Sequence, residues 1–115
     1  RDRSMTRAQV PLWMNEGIAM VVDGSHNDEP RPIGSYPSLK SLTEPFVNES
    51  DTEKAKKLYW FSKRMVQELL WRDGGGADAF RNFAKCLQDL HELGTDGALK
   101  KHYGMTARDL LESVK

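Results

Sequence analysis

Between residues 55 and 70, Ala55, Leu58, Tyr59, Ser62, Met65, Val66, Leu69 and Leu70 recur three and four positions apart. That spacing lines one face of an α-helix and does not suit a strand, whose side chains alternate with a period of two. Both ends are punctuated. "SDTE", Ser50 to Glu53, has the form of a capping box, and "DGGG", Asp73 to Gly76, stops the helix. No stretch of five residues alternates apolar and polar with β-branched enrichment, so the elements that cover this stripe are expected to be helices as well.

The other helices follow from the same signals. A second long one is expected from about Ala77 to Leu93, with Phe80, Phe83, Ala84, Leu87 and Leu90 inward and Gly94 ending it. "TDGALKKHYG" predicts a short helix carrying Ala98, Leu99 and Tyr103, stopped by Gly104. "TARD", Thr106 to Asp109, is a capping-box-like start for a last helix with Leu110, Leu111 and Val114. Upstream, Pro11 suits the start of a helix, where its missing N–H costs nothing. From there to Val22 the chain is apolar nearly all round, which predicts a helix enclosed by protein. Residues 23–38 read as an irregular loop with turn chemistry at Asp23-Gly24, and Leu39 and Leu42 belong to a short helix ending before Pro45. The expected fold is all-α: one helical domain over residues 1–115, a small bundle of about five to six helices, two of them long.

Composition narrows the function. Lysine plus arginine and aspartate plus glutamate each number 17, so the net charge is zero. Binding to nucleic acid or anionic lipid relies on clustered positive charge, which this balance argues against. No run approaches the roughly 20 apolar residues of a membrane span. The single cysteine, Cys86, excludes an internal disulfide and a cysteine-rich zinc site, and its neighbours Phe83, Ala84, Leu87 and Leu90 make it a small core residue. Arg1 in first position predicts a chain processed or cut from something longer.

Candidate chemistry is sparse. Glu16, in "PLWMNEGIAMVVDGS", has Leu12, Trp13, Ala19 and Met20 three and four positions away. An ionised carboxylate among such neighbours must be paired, protonated or bound to metal, because leaving it alone costs several kcal/mol. A structural partner, with Arg64, Arg81 and Arg108 as candidates, and a functional role both satisfy that requirement. "HELGT", His91 to Thr95, lacks the second histidine of His-Glu-x-x-His, and Gly94 breaks the helix where it would stand. His26 and His102 have no ligand-like spacing. Lys54, Lys56, Lys57, Lys63 and Arg64 read as a solvated face, and Trp60, Phe61 and Trp71 as contacts to other helices or to an element outside this chain. "DGGGAD" lacks the Gly-Lys-Ser/Thr ending and preceding strand of a phosphate loop, so it reads as a helix–helix connection.

The ordered motifs resemble a known family. "PLWMNEGIAMVVDGS" is similar to the "P-x-W-x-x-E-G-x-A" segment of bacterial gluzincin-type zinc metallopeptidases, the peptidase-MA-like group, through Pro11, Trp13, Glu16, Gly17 and Ala19. "LYWFSKRMVQELL" is similar to that family's "Y-x-x-S-x-x-x-V-x-x-L" helix through Tyr59, Ser62, Val66 and Leu69. "ALKKHYGMTARDLLESVK" resembles its closing pattern through Ala98, Leu99, Tyr103, Gly104 and Leu110.

The resemblance implies that Glu16 is the third zinc ligand and that this chain is the C-terminal helical portion of a longer peptidase. No HExxH occurs in these residues, so the resemblance also implies that two ligands and the general base lie upstream. Alone, the chain is then expected to be catalytically incompetent and to hold zinc weakly or not at all, since a catalytic site needs three protein ligands. The implied partners are the upstream HExxH segment and a peptide or protein substrate, and the family suggests export in bacteria. Gly17 is expected to let a neighbouring helix approach closely. The competing expectation is a non-catalytic helical interaction module, a degenerate relative in which Trp60, Phe61 and Trp71 serve a partner.

Overall fold

The computed structural model describes residues 10–24, 31, 32, 34, 36–43 and 52–115, apart from the side chain at 52. Five helices and no strand occur among them: α1 (Leu12–Asp23), α2 (Leu39–Thr43), α3 (Thr52–Arg72), α4 (Ala77–Tyr103) and α5 (Ala107–Ser113). The all-α bundle expected from the sequence is the fold observed. None of these helices is long and apolar enough to cross a membrane.

α3 is the central element, and α1, α2, α4 and α5 all pack against it. Its predicted stripe is the core: Leu58, Ser62, Met65, Val66, Leu69 and Leu70 are buried. Phe61, read as a contact to other helices or to an outside element, is buried too. It meets Trp60 and Tyr36 edge-on, with ring centroids at 4.9 and 5.6 Å. Lys63 is also buried rather than on a solvated face. With neighbours on several sides, α3 buries more of its circumference than one stripe. The capping box at Ser50 falls outside the described residues.

α4 is two helical runs joined at Gly94, whose φ of 75° and ψ of 172° interrupt the helix. The predicted break is therefore present, and glycine supplies a conformation costly for any other residue. The buried residues of the first run are Ala79, Phe83, Cys86 and Leu90, four and three apart. Phe80 and Ala84, expected inward, face outward instead, and Phe80 is 40% exposed. The buried stripe thus runs through positions 79, 83, 86 and 90, and not through 80 and 84.

α5 begins as expected. The Thr106 side chain accepts from the Asp109 amide at 3.2 Å, and the Asp109 carboxylate accepts from the Thr106 amide at 3.1 Å. The amide of Thr106 holds the Asp109 carboxyl below the usual carboxylate range. Asp96, just past the Gly94 break, accepts from the Ala107 amide at 2.9 Å. Thr106→Ala is expected to cost about 1 kcal/mol by loss of the cap, measurable by urea unfolding.

Candidate functional site

Pro11 is the N-cap of α1, and its carbonyl accepts from the amides of Met14 and Asn15 at 3.1 and 3.2 Å. Gly24, left-handed at φ 76°, closes the other end by donating to the Met20 carbonyl at 3.0 Å. Between these caps the helix buries Trp13, Met14, Gly17 and Met20. The opposite side, with Asn15, Ala19 and Val22, is exposed, and Val22 is 71% so. This corrects the expectation of a helix enclosed on every side. Apolar residues all round a helix say that it can be buried, not which face is.

Gly17 marks the crossing of α1 over α3. A Cβ built on it would stand 2.4 Å from the Ser62 carbonyl oxygen and 2.6 Å from Val66 Cγ2. Only a residue without a side chain lets the two backbones come this close. The expected close approach is thus present, and the neighbour is α3. Ser62 suits the same crossing: its buried hydroxyl donates to the Leu58 carbonyl at 2.7 Å, so no polar group is left unmet.

Glu16 precedes Gly17 and lies between the buried and exposed faces of α1, only partly buried. Among the described residues its carboxylate makes no ion pair or side-chain hydrogen bond. The three candidate arginines are elsewhere. Arg64 pairs with Glu68 at 3.0 Å and stacks on Trp71 at 4.7 Å, Arg81 pairs with Asp78, and Arg108 is exposed. Partial exposure removes the need for a protein partner, because water reaches the carboxylate. Glu16→Gln is therefore expected to change stability by no more than about 0.5 kcal/mol in thermal unfolding, as at an ordinary surface site.

The other sequence candidates separate clearly. His91 is exposed on α4, and His26 lies outside the described residues. In "DGGGAD" the amides of Asp73, Gly74 and Gly75 donate back to the Leu70 and Trp71 carbonyls at 2.9 to 3.1 Å. They close the end of α3 and are not presented to a phosphate. Among the described residues no group of three histidines, cysteines or acids is placed to hold a metal.

The break at Gly94 also builds a cluster that spacing did not suggest. His102 Nε2 lies 2.7 Å and Lys101 Nζ 3.1 Å from Asp89 Oδ2. These hydrogen bonds, that from His102 foremost, hold the Asp89 carboxyl below its ordinary value. Nearby, burial and then the charge of Asp89 push the Cys86 thiol up to about 11, which keeps it protonated and unreactive. Burial likewise raises Tyr103. The signal for this cluster was Gly94 itself, since only a bend brings positions thirteen apart into contact.

Its pH dependence has a definite sign. A carboxyl whose folded value is depressed stabilises the fold above its unfolded value, and that contribution disappears as pH falls through the folded value. The gap in melting temperature between wild type and Asp89→Asn should accordingly be widest at neutral pH and close as pH falls below the ordinary aspartate range.

Comparison with protein-family models, with curated proteins and with solved structures finds no match to this chain.

Proposed function

We propose that this domain is the C-terminal helical part of a zinc-dependent peptidase and that Glu16 is the third ligand of its metal. The observation that supports this most directly is the state of Glu16: a partly buried carboxylate without a protein partner among the described residues, at the border of a helix face that is locked to α3. A ligand must be held in position yet left free of competing bonds, and a carboxylate oxygen is a suitable zinc donor. Gly17, Trp13 and Met14 hold the helix, and among the described residues nothing competes for Glu16. The described residues supply no complete set of ligands, so the remaining two belong to the proposed HExxH segment upstream.

Zinc, when bound, polarises the scissile carbonyl and lowers the pKa of a bound water. This chain's share of the work is positional. Glu16 contributes one negative charge to the metal site, and the α1–α3 crossing fixes where that charge stands.

The test is metal analysis of the polypeptide that joins the HExxH segment to this chain. One zinc per chain, lost on Glu16→Ala, is the expected result. A stably folded polypeptide without zinc, or one whose zinc survives Glu16→Ala, overturns the reading. The first of those outcomes favours a second reading, a non-catalytic interaction module. It draws on Trp71, 57% exposed at the end of α3, and Phe80, exposed at the start of α4.

A further inference from the structure

A cleft of about 340 Å³ lies between the segment leading into α2 and the first turns of α3, lined by Tyr36, Pro37, Ser38, Ser41, Lys54 and Lys57, with Glu53. Its charge is unlike that of the chain as a whole, which is neutral. The first turns of α3 contribute two lysines and one glutamate to the lining, and Tyr36 carries two further cations on its ring, of which Lys115 is also paired with Glu112 at 2.9 Å. Arg31 stands 5.5 Å and Lys115 Nζ 5.5 Å from the ring centroid.

Lys57 is the informative group. It is half-buried, and its Nζ rests on Gly34, where a Cβ would stand only 2.9 Å away. Among the described residues no carboxylate pairs with it. Other cations on α3 differ: Lys56 lies 3.9 Å from Glu53, and Arg64 is ion-paired with Glu68 at 3.0 Å. A cation without a carboxylate partner among the described residues favours an anion that can reach it.

The hydroxyls are arranged to help. Ser38 Oγ accepts from the Ser41 amide at 3.1 Å and donates to Ser41 Oγ at 3.0 Å. Either hydroxyl of this pair can turn to donate to a ligand in the cleft. Tyr36 and Pro37 give the same cleft an apolar wall.

We infer that this cleft binds a small organic oxyanion, a phosphate monoester or a carboxylate, with its anionic group at Lys57 and Ser41 and its apolar part on Tyr36 and Pro37. The site is separate from Glu16 and does not depend on the peptidase reading.

The probes are phenyl phosphate, benzoate and, as an uncharged control, benzyl alcohol, titrated into the labelled chain and followed by amide chemical shifts. Saturable shifts at Ser38, Ser41 and Lys57 with at least one anion are expected, in the range of about 1 mM for a few charge-assisted contacts. The tighter of the two anions identifies the headgroup. Lys57→Gln should weaken binding about tenfold and Ser41→Ala by a smaller factor, whereas Lys56→Gln should leave it within about twofold. Retained amide dispersion in each variant shows that the fold is intact. The inference is overturned by an absence of saturable shifts, by equal response to benzyl alcohol, or by a Lys57→Gln affinity equal to wild type.

Discussion

Trp13→Ala is expected to lower the free energy of unfolding by about 3–5 kcal/mol, the usual cost of emptying a fully buried large aromatic site. Trp13 is wholly buried and belongs to the main core with Met14, Leu58 and Met65. A domain of ordinary stability has about 5–15 kcal/mol in total, so the variant should sit near the limit of folding. Urea unfolding followed by circular dichroism measures the loss. Trp13→Phe sharpens the argument. The indole N–H is buried and finds no acceptor among the described residues, and an unmet donor costs about 1–3 kcal/mol. Phenylalanine removes that donor while keeping most of the ring, so its cost should be far smaller than that of alanine. If Phe and Ala prove equally damaging, the indole N–H has an acceptor after all.

Gly17→Ala carries the second large effect, and by the opposite mechanism. Here one methyl is added where the Ser62 carbonyl oxygen stands 2.4 Å from the position of its carbon. The obstacle is backbone and cannot turn aside, so α1 has to shift off α3. Overpacking of a core costs about 1–3 kcal/mol, occasionally more, and this site belongs to the severe end. The same shift displaces Glu16, its immediate neighbour. In the zinc-bearing polypeptide, Gly17→Ala should therefore weaken metal binding although residue 17 has no ligand atom. A Gly17→Ala chain with wild-type stability would show that the helices do not cross this closely.

Much of the fold was legible because it is written in spacing and in breaks. The stripe from Leu58 to Leu70, the stop after Arg72, the interruption at Gly94 and the Thr106 cap all depend on local chemistry, which a sequence displays directly. What it does not display is which side of an all-apolar helix meets a neighbour. Thus α1 was expected to be enclosed, and Glu16 to need a partner, whereas one face is open. The rotation of α4 was hidden for a related reason. Phe80 is more hydrophobic than Ala79, yet Ala79 is the one that is buried, a choice made by the neighbouring helices and not by local spacing. The Asp89–His102 pair was hidden because it depends on the angle of a bend. Glycine announces a bend without giving its direction.

The α1–α3 crossing also bears on the order in which the chain folds. Gly17 and Ser62 lie far apart in sequence, with α2 between them, whereas Asp89–His102 and Asp96–Ala107 join near neighbours. Closing a long loop costs entropy before its contact contributes anything, so local pairs form early and distant ones late. The C-terminal corner is then the first region to consolidate, and α1 docks onto an α3 already in place. On this order, Gly17→Ala accelerates unfolding and leaves the folding rate nearly untouched, the kinetic signature of an interaction absent from the transition state.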